Sequence, residues 1–191
     1  MRIGAQTADM TTIYLLRHGE PDYEPVRERR WPGSMADLAP LSARGVEQAT
    51  EAAHQLAEVG AVRLVSSPFT RTMQTASIVA CRVGLLVEVE FDLHEWLPDD
   101  TFGWQDHAEV RAFLADFDNS GGEWPADQRR PWEPLSAVRQ RATAVLRRAA
   151  ASINGDGSLI AVTHEMVIRA VTGEMVTWKG QFRQIDSSQL T

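Results

Sequence analysis

One cysteine, one lysine and no long apolar run set the first limits on this chain. Cys81 has no partner for an intrachain disulfide and cannot belong to a cysteine metal cluster. Its neighbours Ile78, Val79 and Ala80 make it read as a small buried hydrophobe. No apolar stretch reaches the length a bilayer demands, so no membrane association is expected. The opening MRIGAQTADM lacks the apolar segment of a signal peptide, and the expected location is cytoplasmic. Positive charge is also scarce. Lys and Arg total 19 against 26 Asp and Glu, for a formal net charge of −7. That argues against a nucleic-acid partner, which needs a basic face for the phosphates. It leaves room for a small phosphorylated substrate, because a local arginine cluster outweighs a distant negative background. Lys179 is the single lysine; the arginine fork suits phosphate, although a biased genome produces the same pattern. Nothing in the composition reads on oligomeric state.

What is present is ordinary for a globular chain: 191 residues, 43% hydrophobic and 24% charged, enough for one domain over 1–191 with a substantial core. Four short apolar runs, Thr12–Leu16, Val62–Val65, Leu85–Phe91 and Leu159–Val162, read as buried strands. Helical periodicity lies between them. Ser42 is a plausible N-cap for a helix carrying Val46, Ala49, Ala53 and Leu56, stopped by Gly60. Thr70–Val83 reads as a second helix ended by Gly84, Leu135–Ile153 as a third, and Met166–Thr172 as a fourth closed by Gly173. Alternating strands and helices predict an α/β fold: a mainly parallel sheet with helices on both faces. Residues 96–134 break the pattern. Trp96, Trp104, Trp124 and Trp132 with four prolines suit an irregular, lid-like insertion, carrying one short helix near Glu109–Phe117. Phe182–Thr191 is a candidate edge strand.

Each predicted strand runs into a distinctive polar group. The first leads to Arg17-His18-Gly19-Glu20, the second to Ser66-Ser67-Pro68 with Arg71 just beyond, the third to His94-Glu95, and the fourth to Thr163-His164-Glu165. Open α/β sheets bind ligands beyond the carboxyl ends of their strands. Arg17, His18, Arg71, Glu95 and His164 are therefore expected to converge on one pocket. Singly, each has a bland reading: a hydrogen-bonded structural histidine, a solvated helix arginine, a surface carboxylate. Glu165 alone reads as a helix-start acid favoured by the dipole. Four strand ends decorated alike, with two histidines, two arginines and a carboxyl, are a set able to transfer a phosphoryl group.

On these residues the chain resembles the histidine phosphatase superfamily, the phosphoglycerate-mutase-like proteins. Leu16-Arg17-His18-Gly19-Glu20 looks like the RHG signature. Gly33, Asp37, Leu41-Ser42, Gly45 and Gln48-Ala49 match the spaced pattern after it, and Ser66 to Ala76 resembles the second block. Leu93 with Glu95, and Val162-Thr163-His164 with Val167-Ile168-Arg169, resemble the remaining two. The likeness runs from about Thr12 to Gly173. It implies a three-layer fold and a phosphatase acting on a phosphate monoester through a phosphohistidine. His18 would be the nucleophile, Arg17, Arg71 and His164 the phosphate pocket and Glu95 the proton donor. It implies no cofactor and no metal, the positive side chains supplying the charge a metal supplies elsewhere.

Three positions depart from the pattern. Glu165 stands where many members have Gly, and a carboxylate there repels a phosphate dianion unless it points away. Glu24 replaces an Asn phosphate contact of mutase-like members, and Pro21 a common Thr or Ser. Together they weigh against the alternative of a phosphoglycerate-mutase-type isomerase. A non-catalytic phospho-ligand-binding module is the other alternative. Arg27, Arg29 and Arg30 fall near the expected mouth, where they either recruit an anion or form a solvated loop.

Overall fold

A computed structural model describes residues 10–190. The opening segment read above for signal-peptide character, Met10 apart, lies outside the described residues, as does Thr191. Among the described residues five strands form one sheet: β1 (Thr12–Arg17), β2 (Ala61–Ser66), β3 (Val87–Val89), β4 (Ser158–Thr163) and β5 (Phe182–Asp186), in the order β3-β2-β4-β1-β5. The first four run parallel, and β5 closes the β1 edge antiparallel. The helices are α1 (Glu24–Glu28), α2 (Ala43–Gln55), α3 (Thr70–Val83), α4 (His107–Asn119), α5 (Leu135–Ala151) and α6 (Glu165–Thr172).

The pleat explains the three layers. Side chains alternate across a strand, so Ile13 and Leu15 enter one core with Leu159 and Ala161, beside residues of α5 and α6 such as Val145, Leu146 and Ile168. Leu16, Ile160 and Val162 face the opposite way, against Leu56 and Val79 of the α2 and α3 region. Central β4 is buried along its whole length, as a parallel strand covered on both faces should be. The expected α/β architecture, a mainly parallel sheet with helices on both faces, is the one observed. No helix among the described residues is long and apolar enough to cross a membrane.

Several expectations need correction. The run Leu85–Phe91 pairs over three residues only, and it is not buried: Leu86 is 88% and Phe91 68% exposed. An edge strand has one neighbour, so an apolar run there lacks cover on its free side. Cys81 is exposed, because α3 buries the face of Thr72, Thr75, Ala76 and Val79, and residue 81 falls well round the helix from it. Val46 is likewise exposed; α2 buries Gly45, Ala49, Ala52 and Ala53 instead. The third predicted helix ends at Ala151, two residues early, and α1 and a 3-10 turn at Gly33–Leu38 had no periodic signal. Ser42 caps α2 as expected, its Oγ accepting from the Gly45 N–H at 3.0 Å.

The tryptophan-rich segment is more ordered than its composition suggests. Its helix α4 spans 13 residues rather than the shorter stretch expected. Phe117 and Trp132 are fully buried and meet edge-to-face at 5.2 Å, and Phe117 meets Trp96 at the same separation. These rings belong to the same core as α5 and α6. The Trp132 indole N–H is satisfied by the Asp116 carboxylate at 2.7 Å and that of Trp96 by the Glu133 carbonyl at 2.7 Å. Trp132→Ala should therefore cost about 3–5 kcal/mol in denaturant unfolding, as truncation of a core aromatic does. A loss below about 1 kcal/mol, the range of ordinary surface changes, would mean that the segment is an appendage to the core.

Candidate active site

The loop after β1 is held by close backbone contact. A Cβ on Gly19 would stand 2.3 Å from the Gly45 carbonyl oxygen, and one on Gly45 would stand 2.1 Å from the Glu20 carbonyl oxygen. Two glycines thus let this loop lie directly on the first turn of α2. Side chains complete the fit. Thr75 Oγ1 accepts from the Gly19 N–H at 3.1 Å, Gln48 Oε1 from the Glu20 N–H at 2.8 Å, and Ser42 donates to the Glu20 carboxylate at 2.9 Å.

This places His18, 5% exposed, at the carboxyl end of β1. Its Nδ1–H donates to the Gly19 carbonyl at 2.6 Å, while its Nε2 accepts from Nε of Arg71 at 3.2 Å. Guanidinium only donates, so the tautomer follows, with the Nε2 lone pair facing the arginine. Burial, followed by the Arg71 charge, holds the His18 imidazole well below its usual range, against the opposing pull of the Gly19 carbonyl. The ring is neutral at neutral pH.

Arg71, on the first turn of α3, joins the group together. Its Nη2 lies 3.4 Å from Nδ1 of His164, which closes β4, and its Nη1 lies 3.2 Å from Asp37. The two imidazoles are 5.1 Å apart, centre to centre, and the Phe69 ring packs 4.9 Å from the guanidinium carbon and 5.2 Å from His164. His164 Nε2 donates to Ser67 Oγ at 2.8 Å, the tautomer again set by the arginine. Burial, then Arg71 and His18, hold His164 well below the usual range too. A phosphate dianion placed here would act in the opposite direction.

Glu95 stands 3.9 Å from His164 Nδ1. A quarter of its side-chain surface (25%) stays open, yet the carboxyl sits deep enough that burial raises its pKa, outweighing the Trp96 N–H at 2.9 Å and the Arg71, Arg17 and Arg141 charges. Its loop is gripped by Arg141 of α5, which uses all five donors. They reach the Asp92, His94 and Glu95 carbonyls at 2.6, 2.8 and 3.2 Å and both Glu133 oxygens at 2.7 and 2.9 Å.

Arg17 is the partial exception. Among the described residues it shares no hydrogen bond with the other four. Its Nη1 donates to the Val176 and Thr177 carbonyls at 2.6 and 2.9 Å, its Nη2 meets Glu165 at 2.5 Å, and its Nε is buried without a partner. It still acts on His18 through its charge. Glu165 thus spends its carboxylate on Arg17. Glu24 is exposed and pairs with Arg27 at 3.5 Å.

So His18, Arg71, His164 and Glu95 come together, and Arg17 reaches His18 and Glu95 through its charge alone. Sequence reading missed the partners: Asp37, Ser67 and Arg141, and half-buried Tyr23, whose phenol pKa is raised mainly by desolvation and feels the charges of Arg71, Glu95 and Asp37. Asp37 and Ser67 did fall inside the matched blocks, which was the one available signal. Arg141 is one arginine among several on α5.

Comparison with known proteins bears on the fold and the family. Among solved structures, the native mycobacterial glucosyl-3-phosphoglycerate phosphatase is 24% identical, with 93% of this chain and 90% of that one aligned at a TM-score of 0.72. Phosphoglycerate mutase from Bacillus anthracis str. Sterne is 18% identical over 94% and 88%, at 0.67. At such identities the likeness shows a shared fold. The probable phosphoglycerate mutase GpmB of Salmonella typhi is 35% identical over 86 residues, 45% of this chain and 38% of that protein. The matching region spans well under half the length of such curated relatives. The profile of the histidine phosphatase superfamily (branch 1) matches residues 13–189. With that profile matching nearly the whole of its length, this chain of 191 residues belongs to the histidine phosphatase superfamily.

Proposed function

We propose that this protein hydrolyses a phosphate monoester through a phosphohistidine on His18. The observation that carries the reading is a single guanidinium, Arg71, bonded to both buried imidazoles with a raised-pKa carboxyl, Glu95, 3.9 Å from the second. In the first step the His18 Nε2 lone pair forms the bond to phosphorus as the ester P–O bond breaks, and Glu95 gives its proton to the leaving oxygen. In the second, water attacks the phosphohistidine, its proton passes to the Glu95 carboxylate, and His18 and inorganic phosphate are released. Arg71, His164 and, at longer range, Arg17 balance charge on the phosphoryl oxygens. The same positive side chains make the chemistry independent of a metal.

The isomerase alternative is supported by the names of curated relatives. Glu24, turned to solvent where mutase-like members carry a phosphate contact, weighs against it. Incubation with phosphoglycerate separates the two, since an isomerase yields isomer, whereas a phosphatase yields no isomer and at most free phosphate.

His18→Ala should lower turnover by more than about 10⁴-fold and abolish label trapped on protein after an alkaline quench, as removal of a nucleophile does. Retained hydrolysis would end the proposal. EDTA should leave the wild-type rate unchanged. Glu95→Gln should cost about 10²–10⁴-fold on alkyl phosphates and far less on p-nitrophenyl phosphate, whose leaving group needs no proton. In the wild type, alkyl phosphate turnover should fall as pH rises through the raised Glu95 pKa and deprotonates the donor. It should fall on the acid side only well below the usual histidine range, where His18 gains its proton. An alkaline decline unchanged in Glu95→Gln would assign that limb elsewhere. Arg141→Met should reproduce the Glu95 pattern in milder form, about 10- to 100-fold on alkyl phosphates, since a small displacement of the donor is enough. Equal losses on both ester types would reduce Arg141 to a folding role.

A further inference from the structure

The proton donor also indicates where the rest of the substrate goes. Glu95 lines a cavity of about 200 Å³, together with Asp37 and Phe69, both of which touch Arg71. Whatever is bonded to the leaving oxygen must enter the space that the donor faces, and this is that space. Its other walls are mainly rings and aliphatic groups: Tyr23, Trp96, Leu97, Trp104 and Val110. Ordinary ligand sites have this mostly apolar character. An apolar cavity of roughly 150 Å³ accepts benzene, so about 200 Å³ accommodates one substituted ring.

The charges lining it are informative. They are three carboxyls, Asp37, Glu95 and Asp106, and one imidazole, His107, with no arginine or lysine. Asp37 is engaged by Arg71, and Asp106 by the Ala108 and Glu109 N–H groups of α4. A carboxylate or second phosphate close to the ester oxygen would meet apolar walls and acids without a cation to pair with. Farther out a second cavity of about 360 Å³ shares Tyr23, Ala36 and His107 with the first and adds Arg27, Arg30 and Trp31. Among the described residues that line these two cavities, the arginines, Arg27 and Arg30, belong to the second.

On the phosphatase reading, we infer that the substrate is the phosphate monoester of a ring-bearing alcohol. The atoms next to the ester oxygen are uncharged, and any further anionic group lies beyond the ring. Phosphoglycerate, whose carboxylate sits two atoms from its ester oxygen, is the wrong kind of ligand for this cavity.

The test compares phosphate release from benzyl phosphate, ethyl phosphate and 3-phosphoglycerate by the purified wild-type protein. Benzyl and ethyl phosphate both expel simple alkoxides, so their ratio reports on the ring rather than on leaving-group chemistry. Benzyl phosphate should exceed ethyl phosphate in kcat/KM by about 100-fold, the scale expected for burying one ring. 3-Phosphoglycerate should do no better than ethyl phosphate. Val110→Glu, which adds a fourth carboxyl to the wall, should lower the benzyl-to-ethyl ratio at least about 10-fold by setting a desolvated charge against the ring. Comparable values for benzyl and ethyl phosphate, or a preference for 3-phosphoglycerate over benzyl phosphate, would overturn the inference and leave the phosphatase reading standing. Failure to release phosphate from any of the three, with no label on His18, would overturn the phosphatase reading itself and this inference with it.

Discussion

A buried guanidinium holds the site together. Arg71 is 5% exposed and stands on the first turn of α3, where the helix dipole disfavours a cation. Such a charge persists in the interior only if its donors are satisfied. Here they are divided among His18, Asp37 and His164, with the Phe69 face against the carbon. Each of these contacts fixes something. The bond to His18 sets its tautomer, the bond to His164 sets the other, and Asp37 anchors the loop before α2 to the same point. Without that cation the two imidazoles would have no common reference.

The positive charge is also partly spoken for before any ligand arrives. Arg71 pairs with Asp37, and Arg17 pairs with Glu165. Both histidines are held neutral by burial and by the arginine. The electrostatics are therefore closer to balance than a count of basic residues implies. An anion gains from orientation, hydrogen-bond donors and the approach of two helix starts, α3 and α6, at neighbouring strand ends more than from raw net charge. Glu165, whose position suggested repulsion of a phosphate, is turned onto Arg17 and props that side chain against two carbonyls of the chain near Val176.

Residues 96–134 serve two ends of the structure at once. Phe117 and Trp132 complete the core beneath α5 and α6, while Trp96, Trp104 and Val110 wall the cavity beside Glu95. Arg141 and Glu133 tie the end of the segment to the loop carrying the carboxyl. Core packing and the placement of the Glu95 carboxyl are thus mechanically linked: a shift of the segment would reach Glu95 through its neighbour Trp96 and through Arg141.

The sequence alone determined which residues stand at the ends of β1, β2 and β4, because apolar runs bounded by polar groups report their own strands. Parallel strands with intervening helices then deliver those ends to one edge. Hence His18, Arg71, His164 and Glu95 were legible, as was the Ser42 cap. Tertiary structure alone decided the rest. Exposure of Cys81 and of the β3 edge depended on which faces found a neighbour, and local composition does not encode that. Asp37 and Tyr23 gained their roles by lying near a charge, and Ser67 by meeting an imidazole, contributed from elsewhere in the chain. Arg141 looks like any other arginine of a solvated helix until the loop of Glu95 is laid against it. Periodicity reports what a segment does with its own backbone; a partner brought from fifty residues away leaves no local trace.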